Sequence, residues 1–294
     1  MASNAPRATK SERLEAARVE ARAKREAADK KRRQRSLWTK IGVIVGIVVL
    51  VAGGGLWYYF GAVKPNNTFA DSGPIPAVGN QYGGVVLDSP TTMVSTGGGQ
   101  VTKEQVDAAR YVTGPDYKRE AGEAAPGGVN KNAKPAQIIV YVDPLCPHCA
   151  QFENQYAGQF ESWLKDKSAT VEYRMVSVIP SASNYPARAG NALYCVADKN
   201  PAAFLPMMKA LFADQKERSN AELAQVAKEA GADGLSGCIS NGTFRPYVAT
   251  VQAGMIKEKI GGTPSIFING AYYNSETDGD FVEWANTKIA AANK

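Results

Sequence analysis

Cys146-Pro147-His148-Cys149 sets two thiols one helical turn apart, with the chain's only histidine between them. A pair at this spacing can close a small disulfide ring and reopen it, passing through a mixed disulfide on the outer sulfur. The flanking residues indicate which sulfur is reactive. Ile138-Ile139-Val140-Tyr141-Val142 reads as a buried strand before the motif, and Cys149 to Lys165 as a helix after it. Cys146 then stands at a helix N-terminus, where unpaired N–H groups and the positive end of the dipole favour the thiolate and lower its pKa. Protonated His148 would add a second positive influence, and Pro147 suits the first helical turn, where no N–H is missed. Cys149, one turn deeper, is expected to be less reachable. Zinc binding and an inert structural bridge are the competing readings. Zinc wants four ligands, often as two close pairs, and Cys195 and Cys238 supply no second close pair.

An even cysteine count suggests two disulfides, although four cysteines allow three connectivities. Cys195 and Cys238 are expected to pair within a helical block, stabilising the fold by roughly 4 kcal/mol in the loop-entropy picture. A second signature lies far along the chain, Gly261-Gly262-Thr263-Pro264-Ser265, directly before a strand. Proline tolerates a cis peptide at low cost and cannot donate at that end of a ladder, so this bend would present the Thr263 backbone to an extended segment. Taken alone, Thr-Pro before a strand is an ordinary turn; its weight comes from the CxxC upstream.

The elements that must position these residues read in order. After the first strand and its helix, Thr170 to Ile179 forms a second strand, and residues 185–260 are mostly helical, with turn signals at Asn200-Pro201, Gly231 to Gly237 and Asn241-Gly242. Ser265 to Ile268 and Ala271 to Tyr273 flank Asn269-Gly270, a two-residue hairpin signal, and Asp280 to Ala292 closes as a helix. The fold class is α/β: β-α-β, a helical insertion over about 184–260, then β-β-α, in a domain from 136 to 294. Residues 64–135 are rich in Gly, Pro, Asn, Ser and Thr and read as a tether. Within it Gly84-Val85-Val86-Leu87 reads as an edge strand, and Thr102 to Gln105 has capping-box spacing ahead of a short helix to about Tyr111.

Ile41 to Val63 runs without a charge and is long enough to cross a hydrocarbon core of ~30 Å. A buried core helix and a cleaved signal peptide are the alternatives. The second is disfavoured because 40 residues precede the run and no small-x-small site follows. Residues 1–40 carry 13 Lys+Arg against 5 Asp+Glu, whereas the rest of the chain is faintly acidic. The high pI therefore belongs to the tail, and nucleic acid is not an expected partner. The reading is a transmembrane signal anchor, with a cytoplasmic tail at 1–40, a span at 41–63 and everything beyond it exported. The tail, from Lys10 to Arg35, has the composition of a solvated helix, and Lys30 to Arg35 would attract anionic lipid headgroups.

Residues 137–290 resemble the DsbA family of thioredoxin-fold thiol-disulfide oxidoreductases. CPHCAQFE (Cys146 to Glu153) is similar to that family's active-site stretch, and GTPSIFING (Gly262 to Gly270) to its cis-proline loop and hairpin. The membrane anchor resembles versions from Gram-positive-type bacteria. The resemblance implies a thioredoxin fold with a helical insertion, with Cys146 and Cys149 as the redox pair, His148 and Pro147 tuning it, and Thr263 and Pro264 binding substrate. It further implies thiol-containing exported proteins as substrates, a quinone-linked reoxidant of the DsbB or VKOR type, and no bound organic cofactor. One departure stands out: the family often carries a buried acid six positions before the first cysteine, and here that residue is Val140. The nearest acid is Asp143, so a proton leaving Cys149 would pass to water or to Asp143. The expected activity is a protein disulfide oxidase; a reductase or isomerase of the same fold, and a non-catalytic peptide-binding holdase, are the alternatives.

Overall fold

The computed structural model describes residues 10–58, 66, 68–110 and 123–294. They fall in two compact units, Met1–Gly61 and Ala62–Lys294. In the first, α1 runs unbroken from Lys10 to Tyr58. Ala, Glu, Lys and Arg are all good helix formers, and no breaker separates the basic stretch from the apolar one, so tail and span share one helix. Its apolar part reaches a mean hydropathy of 2.2 with none of that window buried, making it a candidate membrane span. Residues 59–63 of the expected span lie outside the described residues.

The second unit is built on a five-stranded sheet, ordered β2-β5-β4-β6-β7. Its strands are β2 (Gly84–Leu87), β4 (Ala136–Val142), β5 (Ala169–Met175), β6 (Ser265–Ile268) and β7 (Ala271–Tyr272). β1 (Gly73–Ile75) and β3 (Gly99–Val101) form a small separate pair. β4 is central, parallel to β5 and antiparallel to β6. It is apolar on both faces because both are covered. Ile138, Val140 and Val142 join the larger core, which also holds Phe152, Phe160, Trp163 and Phe281, while Ile139 and Tyr141 join a smaller one with Val251, Met255 and Phe267.

The helices are α2 (Lys103–Arg110), α3 (Pro147–Lys165), α4 (Tyr185–Lys199), α5 (Phe204–Ala213), α6 (Asn220–Glu229), α7 (Ser236–Asn241), α8 (Arg245–Lys257) and α9 (Phe281–Ala292). α4 to α8 make the insertion between the two halves of the fold, as the sequence predicts. α4 is buried along most of its length, and a disulfide joins its Cys195 to Cys238 on α7, 43 positions later. The Asn269-Gly270 hairpin forms with both residues at positive φ, 46° and 86°. The Thr102/Gln105 capping box also forms, with reciprocal bonds of 2.8 and 3.3 Å; Tyr111 lies outside the described residues.

Two expectations need correcting. The domain does not begin at 136, because described residues of the tether pack into it. β2 pairs antiparallel with β5, and Val85 and Leu87 are fully buried. Gly84 is required there: a Cβ would sit 2.0 Å from Glu172 Oε1. Beside it Arg174 Nε donates to Glu172 Oε1 at 2.7 Å, in a pair 1% exposed on each side. The other guanidinium nitrogens donate to Tyr141 Oη at 2.6 Å and to the Gly127 carbonyl at 2.7 Å. Asn80 Nδ2 also donates to Glu172, at 3.0 Å. Residues 80–87 and 127 are thus tied to the sheet by buried, charge-assisted bonds. The second strand also ends earlier than expected, at Met175 rather than Ile179, as the chain turns away to meet Asp143.

Candidate active site

The site forms where β4 ends and α3 begins. Cys146 is the N-cap of α3, in extended conformation, with Pro147 at the first helical position. The turn is braced from three sides. The Cys146 N–H donates to the Asp143 carbonyl at 3.0 Å, and its own carbonyl accepts from Ala150 N–H at 3.1 Å. Gln215, reaching in from the insertion, donates its amide to the carbonyls of Cys146 and Pro144 at 2.9 and 3.2 Å. Asp143 is fully buried, and its carboxylate accepts from Leu145 N–H at 2.7 Å, Val178 N–H at 2.6 Å and Ile179 N–H at 2.8 Å. Burial outweighs these bonds and lifts its pKa to about 6. Asp143 thereby braces the loops after β4 and β5 against each other directly beneath the redox motif.

Cys146 and Cys149 are both free thiols here, 4% and 0% exposed. The Cys146 pKa is lowered to about 5. The hydrogen bond from the Cys149 thiol is the largest cause; burial opposes it, and Thr263 and the backbone N–H groups of Cys149 and His148 add to it. Burial and the neighbouring Cys146 push the Cys149 thiol upward. The asymmetry expected from the helix terminus is present, but its leading source is the partner thiol. His148 acts on the sulfur through its backbone N–H, while its side chain, like Pro147, is exposed.

From the other end of the fold, the Cys146 thiol points at the Thr263 carbonyl oxygen, 3.2 Å away. The Thr263–Pro264 peptide is cis, and the Ser265 hydroxyl donates to the Gly262 carbonyl at 2.7 Å, closing the loop ahead of β6. A groove of about 700 Å³ opens beside this contact. His148, Gln151 and Tyr156 line one wall, Thr263, Pro264 and Tyr273 the other. All the expected redox and substrate residues therefore converge here, while Cys195–Cys238 lies in the insertion as a separate, closed bridge.

Sequence reasoning missed Gln215 and the groove tyrosines, which sit in segments with no signature of their own. It also passed over Glu153, 5% exposed, whose Oε1 has no hydrogen-bond partner and whose carboxyl is met by the buried Tyr173 hydroxyl. Burial raises the Glu153 pKa to about 8. The available signal was its place four residues after Cys149, on the apolar face of α3.

A family model described as Thioredoxin matches residues 130–286. The chain belongs to the thioredoxin family. Within it, the dithiol at a helix N-terminus, the adjoining Pro264 loop and the helical insertion make this chain a DsbA-like thiol-disulfide oxidoreductase. Among curated proteins, the chain is 32% identical over 127 residues to the serine/threonine-protein kinase PknE of Mycobacterium tuberculosis, a match covering 39% of this chain and 22% of that one. The chain thus spans about a fifth of that relative's length. Solved structures similar to it include DsbA from Mycobacterium tuberculosis (27% identity, 62% of this chain and 97% of that one, TM-score 0.44). BdbD from Bacillus subtilis is also similar (17%, 60% and 99%, TM-score 0.47), as is MdbA from Corynebacterium diphtheriae (20%, 63% and 98%, TM-score 0.44).

Proposed function

We propose that this chain is a membrane-anchored, extracytoplasmic oxidase that introduces disulfides into exported proteins through Cys146 and Cys149. The observation that carries this reading is the division between the two sulfurs: Cys146 is held toward the thiolate and Cys149 toward the thiol. A low-pKa sulfur is a good leaving group, so a substrate bound to Cys146 is readily released as its own disulfide. Stabilising the thiolate also stabilises the reduced enzyme and makes the pair more oxidising. The substrate thiolate attacks Cys146, the Thr263 backbone and the groove hold the flanking segment, and a second substrate thiol completes the exchange. A quinone-linked membrane partner of the DsbB or VKOR type would then reoxidise the pair. The uncovered apolar part of α1 supports anchoring, and the basic excess before it supports a cytoplasmic N-terminus, with anionic headgroups near Lys30 to Arg35. The test is the equilibrium potential of the full chain in detergent against glutathione. An oxidising value supports the oxidase, whereas a value near that of thioredoxin, about −270 mV, would assign it to the reductases.

A further inference from the structure

Arg245 opens α8 and is 4% exposed, yet among the described residues no carboxylate pairs with it. Its guanidinium donates to the Asn66 carbonyl through Nη1 and lies under the Phe69 ring, 5.1 Å from the ring centre. Nε and Nη2 are buried and have no hydrogen-bond partner among the described residues. These two nitrogens form one edge of the guanidinium, the fork that grips an oxyanion through two parallel bonds. Burial, with Arg188 adding to it, lowers the Arg245 pKa to about 10, so the charge persists at pH 7. Arg188 itself is held by Ser183 and Asn220. An isolated buried charge is costly unless an opposite charge meets it. The position of Arg245 compounds that cost. Helical side chains tilt toward the N-terminus, and the Arg245 stem runs back over Gly242, where a Cβ would come within 3.0 Å of Arg245 Cδ. The head therefore projects beyond the start of α8, where the helix dipole is positive and Phe244 supplies no side-chain cap. That end of a helix disfavours a cation and favours an anion.

We propose that the start of α8, with the Nε–Nη2 edge of Arg245, is a binding site for a phosphate group. A phosphate presents two oxygens to the fork and keeps others for the positive helix end, which a carboxylate held by both oxygens cannot do. The Phe69 ring covers the guanidinium, and the phosphate enters by displacing it. Phe69 is half-buried between the exposed Thr68 and Ala70, so its displacement opens the fork toward solvent. Two sources share this chemistry, a phospholipid headgroup and free phosphate. Asn66, whose carbonyl Arg245 holds, follows closely in sequence on Tyr58, where the described part of α1 ends, which favours a headgroup. The lipid source rests on the membrane anchoring proposed above; the phosphate chemistry does not.

The experiment uses the full chain in a phosphate-free detergent, labelled with fluorophenylalanine. The Phe69 fluorine signal, assigned by its loss in Phe69→Leu, reads the site itself rather than the basic tail. Inorganic phosphate should shift this signal saturably, and sodium chloride at equal ionic strength should leave it in place. Arg245→Met should weaken phosphate binding by about tenfold to a hundredfold, the worth of a charge-assisted pair. Arg245→Lys keeps the charge and loses the fork, and should weaken binding nearly as much. Both variants should keep the wild-type rate of Cys146 alkylation, which reports a folded domain. A wild-type Phe69 signal that ignores phosphate overturns the proposal without any variant. An undiminished response in folded Arg245→Met or Arg245→Lys overturns it as well. Dihexanoyl-phosphatidylglycerol then separates the sources. Saturation at about a tenth of the concentration that inorganic phosphate needs assigns the headgroup; saturation at an equal or higher concentration assigns free phosphate.

Discussion

The Cys146 sulfur and the Thr263 carbonyl oxygen meet at 3.2 Å across 117 positions of chain. The contact places the reactive atom against the backbone of the loop proposed to hold a substrate segment, while Cys149 lies behind it, sealed from solvent. Cys149→Ala should therefore trap substrate proteins on Cys146, lengthening the life of the mixed disulfides once the resolving thiol is absent. Cys146→Ala should trap almost none. Non-reducing gels of the two variants, followed by peptide identification, read the result. Complexes through Cys149 would reverse the assignment.

The Cys146 pKa of about 5 makes the stability of the reduced protein depend on pH. A thiol whose folded pKa is depressed contributes stability in full above its ordinary pKa of about 8.5. That contribution shrinks as pH falls and is gone below about 5. Denaturant unfolding of the oxidised and reduced forms should show the balance moving toward the oxidised form between pH 8 and pH 5. A balance independent of pH would remove the thiolate argument.

The Cys195–Cys238 bridge should matter to stability and not to exchange. Replacing both residues by Ala should cost about 2–4 kcal/mol, since the bridge closes a long loop. Alkylation of Cys146 should keep its rate and pH profile. Peptide mapping without reduction should recover the linked pair.

The Glu172–Arg174 pair is buried on both sides. Arg174→Met alone leaves a buried carboxylate without its partner and should cost about 3–5 kcal/mol. The double variant Arg174→Met, Glu172→Met should recover much of that loss, because two apolar residues demand no desolvation. Chemical denaturation of the three proteins measures it.

The proposed topology rests on charge, with 13 basic against 5 acidic residues before the apolar run. Protease added to spheroplasts should digest residues beyond the span and spare a fragment containing 1–40. A fully protected C-terminal unit would contradict this reading.

The parts of the fold legible in the sequence are those fixed by local chemistry. Asn269-Gly270 declares its hairpin because a tight primed turn needs positive φ at both residues, and Thr102 and Gln105 declare a helix start through reciprocal side-chain bonds. Cys146 to Cys149 was readable for the same reason, as a strand end followed by a helix cap. What escaped depends on long-range pairing. Gly84 to Leu87 reads as an edge strand and is one; what stays hidden is that its ladder is with β5 and that Val85 and Leu87 are fully buried. Glu172 and Arg174 look like the solvent face of a strand until Gly127 and Tyr141 close around them. Glu153 ends a recognised motif, yet its burial emerges only when α3 packs on β5 and Tyr173 meets its carboxyl.

β2 lies at the outer margin of the sheet; among the described strands it pairs there with β5, and on its other side it makes isolated bridges to Gly79 and Met93. If β2 were removed, β5 would present a row of unpaired N–H and C=O groups beside the apolar Val171 and Tyr173, a template for another molecule's strand. A fragment starting at residue 136 would keep every redox residue and still invite edge-to-edge aggregation. The segment between the apolar helix and the redox motif thus guards the domain against self-association.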